Sequence, residues 1–364
     1  MSDGDEMKLK TVKGKVKTAE WAKPGKKSRL INDMGVGASL VAGYAVDKVK
    51  NMLAKMPPLI SSMQSVFIKC PDQTSLSKAF RELDSPTGHN YFCYFSDDSC
   101  FSTHCADGIY RCNLDISNCD GSHTSGVFDF LRDVLPPSLL KHAINIAIKQ
   151  CEAPLSVTHH NRRSKMLVEM MGPTLYSGST LTTIINNIAN SLIQASISTI
   201  DFSKIKKSDA AHYIIQAARA AGYIVTCEDC FEKRKLQFLK HSPNSLNQPV
   251  LNLGVMLRAF GCCHGDLPGR NKTPLEERAF LFNSGLVKGW VHAGKSRLLD
   301  TLNGKFNASV DAIHTNHVHE LAFRRNHTSF HYSDEDICAR YDLSQDEYDE
   351  MIYQYSRPWF GHLI

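Results

Sequence analysis

Between residues 91 and 116 short apolar runs alternate with polar turns. Tyr91-Phe92-Cys93-Tyr94-Phe95 is aromatic and β-prone, and predicts a strand. Ser96-Asp97-Asp98 interrupts it as a tight acidic turn, and Ser99 to Cys105 predicts a second strand. Asp107-Gly108 is a hairpin signal, after which Ile109 to Ile116 predicts a third strand running back. Elsewhere the period lengthens to that of helices. Residues 35–55, 125–135, 139–151, 181–195 and 209–222 carry apolar positions at helical spacing, with breaks at Pro57-Pro58, Pro136-Pro137 and Gly172-Pro173. Short strands are predicted at 165–170, 223–226 and 236–239. Residues 1–20 read as a flexible basic lead, and from about residue 246 the pattern is mostly helical with loops. The mixture is α+β.

The chain has 364 residues and is 42% hydrophobic, enough for a sizeable core and two or three subdomains. No apolar run reaches transmembrane length. The net charge of +5 is mild but uneven. Lys8, Lys10, Lys13, Lys15, Lys17, Lys23, Lys26, Lys27 and Arg29 crowd the N-terminal end, which suits a polyanion, whereas 334–350 is acidic. Twelve cysteines lie without a regular framework and no signal peptide precedes them, so they read as reduced thiols in a cytosolic setting. Cys227-Glu228-Asp229-Cys230 is the one proper CxxC, with Cys262-Cys263-His264 further on. A structural zinc wants four ligands at such spacings, so buried free thiols are the better reading. His314, His317 and His319 read as a polar loop or helix face.

The carboxylates carry the most information. With Asp107-Gly108 as a two-residue turn, Ala106 pairs with Ile109, and Asp115 falls opposite Cys100 and diagonal to Asp98. Diagonal neighbours lie about 7–8 Å apart. Carboxylates at that separation can reach one metal pair, whose ions sit about 3.5–4 Å apart in phosphoryl-transfer sites. Local folding alone thus brings Asp97 and Asp98 to Asp115. Either cluster by itself also reads as a solvated acidic turn, since Asp is a common turn residue.

Two further segments bear chemistry. Ser177-Gly178-Ser179-Thr180-Leu181-Thr182 leads into a helix on which Thr182 and Asn186, four apart, share a face. Alone it reads as an ordinary N-capped helix. Lys23-Pro24-Gly25-Lys26-Lys27-Ser28-Arg29-Leu30-Ile31 is strand-like, with Lys27 and Arg29 on one face, where they could grip a triphosphate. Alone it also reads as a solvated basic run.

Taken together these motifs resemble viral RNA-dependent RNA polymerases. Lys27-Ser28-Arg29-Leu30-Ile31 resembles the nucleotide-gripping motif F, and Asp115 to Asp120 resembles motif A, an Asp, four residues, then an Asp. Ser177-Gly178 through Thr182 and Asn186 matches the SGxxxTxxxN pattern of motif B. Ala217 to Asp229 resembles motif D, and Phe238-Leu239-Lys240 the primer-gripping motif E. Leu253 to Gly265 is similar to the start of the thumb in positive-strand polymerases of the tombusvirus type. The resemblance spans about residues 20–270. It departs in one respect. Motif C, an acidic hairpin, normally lies between B and D, where only Asp201 is found. The hairpin that fits is Tyr94-Phe95-Ser96-Asp97-Asp98, upstream of motif A, with Ser in place of the usual Gly. That C–A–B order resembles the permuted polymerases of permutotetraviruses and birnaviruses.

The resemblance implies a right-hand polymerase with an antiparallel-sheet palm of permuted connectivity: partial fingers over 1–90, palm over 91–245 and helical thumb over 246–364. It implies Asp115, Asp97 and Asp98 as catalytic and as ligands of Mg2+ or Mn2+ in a two-metal nucleotidyl transfer. It implies Lys23, Lys27 and Arg29 on the triphosphate. Asp120, Asn186, Ser177, Gly178 and Thr182 would serve nucleotide binding and ribose recognition, and Lys240 the primer. The implied partners are an RNA template and primer, ribonucleoside triphosphates, and a second polymerase segment or another replicase protein. The implied setting is the host cytoplasm, a membrane-associated replication complex or the virion. Little chain precedes motif F, so a fragment, a split segment or a compact enzyme is expected. The motif D lysine has no clean match: Cys230 falls near its position and Lys233 is the nearest lysine. The rivals are a polymerase relic acting as an RNA-binding replicase subunit, and a metal-dependent nuclease. Clustered carboxylates that repel one another without metal argue against the first, and the triphosphate and ribose motifs against the second.

Overall fold

In the computed structural model the aromatic run and the two segments after it pair as an antiparallel meander. The structure describes residues 11–16, 30–53, 63–68, 71–158, 164–258, 260, 267–268, 273–290, 294–306 and 329–357. In chain order the strands are β1 (Val12–Val16), β2 (Leu30–Asp33), β3 (Met63–Phe67), β4 (Asn90–Phe95), β5 (Asp98–Cys105), β6 (Gly108–Ile116), β7 (Leu155–Thr158), β8 (Lys165–Val168), β9 (Val225–Asp229), β10 (His241–Pro243) and β11 (Pro249–Leu251). The helices are α1 (Val36–Leu53), α2 (Gln73–Asp84), α3 (Cys119–Ser122), α4 (Ser125–Val134), α5 (Leu139–Gln150), α6 (Thr182–Ile197), α7 (Lys207–Ala220), α8 (Leu253–Leu257), α9 (Leu275–Lys288), α10 (Arg297–Lys305), α11 (Asp334–Tyr341) and α12 (Gln345–Ser356).

A five-stranded sheet of order β3-β4-β5-β6-β9 forms the centre, antiparallel except for the β3–β4 pair. Strand β4 and most of β5 are covered on both faces, which is why β4 is buried at every position but its last. Phe92, Phe101, Cys112 and Leu114 pack with Ile184, Ile188, Ile214 and Ala218 of α6 and α7 on one face. Tyr91, Cys93 and Cys100 pack with Leu76, Ala79, Phe80 and Leu83 of α2 on the other. A capping box between Asp72 and Ser75 starts α2. The sheet draws on chain from both sides of residue 90, and the β10–β11 hairpin straddles residue 245.

A second sheet, β2-β1-β7-β8, overturns the reading of residues 1–20 as a wholly flexible lead. Val12-Lys13-Gly14-Lys15-Val16 alternates apolar or small residues with lysine, and Val12 is fully buried. The C-terminal helices gather around Leu286, Trp290, Leu298, Tyr332, Ile337 and Tyr348. Charge ties them to the chain after β9: Arg234 bonds the buried Asp336, Lys235 bonds Asp342, and Arg340 reaches Gln237 Oε1 at 2.9 Å. No helix among the described residues is long and apolar enough to cross a membrane.

Two local expectations are corrected. The segment 236–239 is not a strand and makes one isolated bridge, Phe238 to His241. Its backbone is bonded by side chains instead, Gln237 N–H donating to Asn113 Oδ1 at 2.8 Å and Cys100 Sγ donating to Gln237 O at 3.1 Å. The second correction is the β5–β6 register. Cys105 pairs with Gly108, so the turn is Ala106-Asp107 and Asp115 stands opposite Asp98, not Cys100. The cause is long-range: Asp107 Oδ1 accepts the Lys207 N–H at 2.8 Å at the start of α7. That turns Asp107 outward and leaves Gly108, at φ +126°, to open the strand.

Candidate functional site

The β4–β5 turn is two residues, Ser96-Asp97, closed by the pair Phe95–Asp98. Ser96 has φ +55°, a conformation that favours glycine. Three asparagines of α6 hold it there. Ser96 N–H donates to Asn187 Oδ1 at 2.7 Å, and Asn190 Nδ2 donates to Ser96 O at 2.6 Å. Asn186 Nδ2 donates to Ser96 Oγ at 3.3 Å. Net bonds of roughly 1 kcal/mol each offset a left-handed non-glycine cost of about 1–2 kcal/mol. The three amides are buried, among the apolar residues Ile184, Ile185, Ile188 and Ala189 of the same helix. Asn187 and Asn190 escaped the sequence reading, although Asn186-Asn187-Ile188-Ala189-Asn190 puts amides at one helical face and could have signalled them.

Asp98 and Asp115 are cross-strand partners, so their side chains leave the same face, with Cβ atoms about 4.5–5.5 Å apart in such pairs. Asp98 is half-buried and Asp115 exposed. The carboxyl of Asp98 is pushed up to about 7. Burial is the main cause, the charges of Asp97 and Asp115 add to it, and the Leu239 N–H and Lys240 oppose it. Leu239 N–H donates to Asp98 Oδ2 at 2.6 Å from a two-residue turn, Leu239-Lys240, in which both residues have positive φ. Lys240 is thus carried to the carboxylates by the segment expected to bear it.

After β6, Asn118 at φ +50° turns the chain into α3, and Asp120 meets Asn186, whose Nδ2 donates to Asp120 Oδ1 at 3.1 Å. Asn186 Oδ1 lies 2.8 Å from His123 Nε2, and His123 Nδ1 lies 3.1 Å from the Tyr223 hydroxyl. The Cys119 thiol is raised by its burial and by Asp97, Asp120 and Asp115, all within electrostatic range of it.

The Ser177-Gly178 loop precedes α6. Thr182 Oγ1 donates to Tyr176 O at 3.3 Å, which closes the loop on itself. Gly178 has φ +107°, and a Cβ there would lie 2.6 Å from Asn32 O. Asn32 N–H donates to Ser177 O at 2.9 Å, so β2 is stitched to the loop. Lys23, Lys27 and Arg29 lie outside the described residues, as do Cys262, Cys263, His264, His314, His317 and His319. Cys227 and Cys230 are free thiols. Lys233 Nζ is bound to Asp84 Oδ2 at 3.2 Å and Ser245 O at 2.9 Å. Asp201 is exposed and pairs with Lys204 at 2.9 Å. Its segment bonds the sheet at Ala106, the end of β5 away from Asp98.

Among the described residues no three His, Cys, Asp or Glu side chains form a ready-made metal cage. The donor chemistry nonetheless suits a hard cation. The converging groups are carboxylate oxygens, and Asp98 and Asp115 stand opposed as like charges, an arrangement that is destabilising until it is neutralised.

No protein-family profile matches the chain, and no curated protein matches its sequence. Solved structures similar to it include the RNA polymerase VP1 from infectious pancreatic necrosis virus, at 10% identity and TM-score 0.48, over 92% of this chain and 43% of that one. The birnavirus VP1–VP3 complex is similar at 8% identity and TM-score 0.47, over 90% of this chain and 43% of that one. The chain therefore spans less than half the length of these two.

Proposed function

We propose that the chain is the catalytic portion of a viral RNA-dependent RNA polymerase whose acidic hairpin precedes its first catalytic strand. One observation carries the reading: Asp98 stands opposite Asp115 while Asn186 joins Asp120 to Ser96. Three segments that resemble motifs C, A and B thus meet at one end of one sheet. The chain order of the hairpin does not hinder this, because β4, β5 and β6 follow one another directly.

In this reading Asp97, Asp98 and Asp115 hold Mg2+ or Mn2+, which when bound would lower the barrier for a primer 3′-hydroxyl and offset charge on the departing pyrophosphate. Leu239 N–H fixes one oxygen of Asp98, so that carboxyl is oriented before any ligand arrives. Lys240 presents its charge beside the same carboxylates, where a primer phosphate would pass. Lys23, Lys27 and Arg29 would bind the triphosphate, and the chain after them, β2, bonds Ser177 O through Asn32. Asp120 and Asn186 would test the sugar for a 2′-hydroxyl. RNA template and primer would be held by backbone contacts without sequence readout.

The test is RNA primer extension with magnesium or manganese, comparing the native chain with Asp97→Ala, Asp115→Ala and Asp201→Ala. Extension that survives Asp201→Ala and is lost in the other two is expected. Loss with Asp201→Ala and retention with Asp97→Ala would overturn the assignment of the hairpin. If the native chain neither extends RNA nor binds ribonucleoside triphosphates with magnesium, the polymerase reading fails.

A further inference from the structure

The polar contacts around Asn186 fix one another's direction. Asp120 as a carboxylate only accepts, so the Asn186 atom 3.1 Å from it is the Nδ2 donor. That leaves Oδ1 facing His123 at 2.8 Å, so His123 Nε2 carries the hydrogen. His123 Nδ1 is then the acceptor, and the Tyr223 hydroxyl 3.1 Å away must donate to it. Burial lowers the pKa of His123, which keeps one ring nitrogen an acceptor. Tyr223 is itself buried, with its ring edge-on to His123 at 5.7 Å, so the pair has little room to turn. The relay runs from Tyr223 O–H to His123, from His123 to Asn186, and from Asn186 to Asp120 and Ser96.

Each member is spent on the next. Asp120, Ser96 and His123 are half-buried, whereas Asn186 and Tyr223 are buried. If Asn186 turned its amide over, its Oδ1 would face the Asp120 carboxylate and its Nδ2 would face the Nε2 hydrogen, two repulsive contacts in a buried site. His123 supplies a second contact, beside Asp120, that holds this one orientation.

We propose that His123, oriented by Tyr223, is a positioning residue for sugar selection: it fixes the Asn186 amide so that Asp120 is presented in a single orientation. The proposal rests on the polymerase reading for its substrate, a ribonucleoside triphosphate, and on geometry alone for the relay. Two near-isosteric substitutions separate the contacts. In His123→Gln the terminal amide nitrogen falls near the Nε2 position and can donate to Asn186. In His123→Asn the shorter amide reaches only toward Tyr223.

The experiment measures kcat/KM for ribonucleoside against 2′-deoxyribonucleoside triphosphates in primer extension. It also reads the His123 tautomer of the full chain by 15N-histidine NMR, with the His123→Gln spectrum identifying the resonance. We expect His123→Asn and Tyr223→Phe to lower the ribo-to-deoxy ratio, the first by about tenfold, the loss associated with one buried hydrogen bond. His123→Gln should keep the native ratio. All three should keep the thermal unfolding midpoint within a few degrees. An unchanged ratio in His123→Asn, in a native chain that extends RNA, overturns the positioning role and leaves the polymerase reading intact. A hydrogen found on Nδ1 rather than Nε2 overturns the relay whether or not the chain is active. A native chain with the Nε2 hydrogen but no extension and no nucleotide binding overturns the sugar-selecting role together with the polymerase reading.

Discussion

Asp98 and Asp115 face each other as direct partners across β5 and β6, and the Leu239 N–H already engages Asp98. The arrangement places two carboxylates on one face at one end of the central sheet, with a backbone N–H already on Asp98. Its energetic signature should be a dependence on pH and on cations.

Asp98 has its folded pKa raised from 3.8 to about 7. For such a group the folded state binds more protons than the unfolded one, so stability is full below the unfolded value and is lost as pH rises through the folded one. Asp98→Asn keeps an oxygen for Leu239 N–H and removes the charge. Its advantage over the native chain, in chelator, should grow between about pH 4 and pH 7 and level off above, reaching on the order of 1–3 kcal/mol. Urea unfolding at pH 5 and pH 8 checks this, and an equal difference at both would refute it.

Magnesium should oppose the same penalty. At pH 8 millimolar magnesium should raise the melting temperature of the native chain by a few degrees, since a ligand of the folded state stabilises it by mass action. Asp115→Asn should abolish most of that rise. A rise of equal size in both chains would place the bound cation elsewhere.

Gly178→Ala should damage both stability and the site. The new Cβ meets Asn32 O at 2.6 Å on a backbone at φ +107°, and neither can yield without parting β2 from the loop. A loss of about 1–3 kcal/mol is expected in chemical denaturation. Gly37→Ala, at a position with open space around it, serves as the control and should cost nothing.

Asn190→Ala should loosen the acidic turn from a distance. It leaves the Ser96 carbonyl without the 2.6 Å donor and costs about 1–3 kcal/mol. Hydrogen exchange at Ser96 and Asp97 should accelerate relative to that at Phe101 in the middle of β5. Unchanged exchange at the turn would show that Asn187 and Asn186 suffice.

Much of the central sheet and the helices beside it was legible because it is local. The three strands at 91–116, the helix after Ser177 and the helix–strand unit ending at Asp229 follow from period and turn chemistry. The register slipped because Asp107-Gly108 was weighed as a turn by itself, while Asp107 is claimed by Lys207 a hundred residues later. β1 was missed because five residues with two lysines carry little apolar signal, and its partner β7 is far along the chain. The segment 236–239 looked like a strand because its apolar residues are buried, yet Asn113 and Cys100 satisfy its backbone. The asparagine clasp on Ser96 and the His123–Tyr223 relay are long-range side-chain networks, which no local period encodes.

The meander also sets the order in which the chain meets its own repulsion. β4, β5 and β6 are contiguous and their contacts are short in sequence, so they close early in folding. The contacts that order the turn and the carboxyl come from far along the chain: Asn187 and Asn190, on the Ser96 backbone, lie more than ninety residues beyond it, and Leu239, on Asp98, lies 141 beyond that residue. The nascent hairpin must therefore zip two carboxylates together before their counterparts arrive. Asp98 belongs to the folding barrier as much as to the finished site, and neutralising it should quicken refolding more than it slows unfolding.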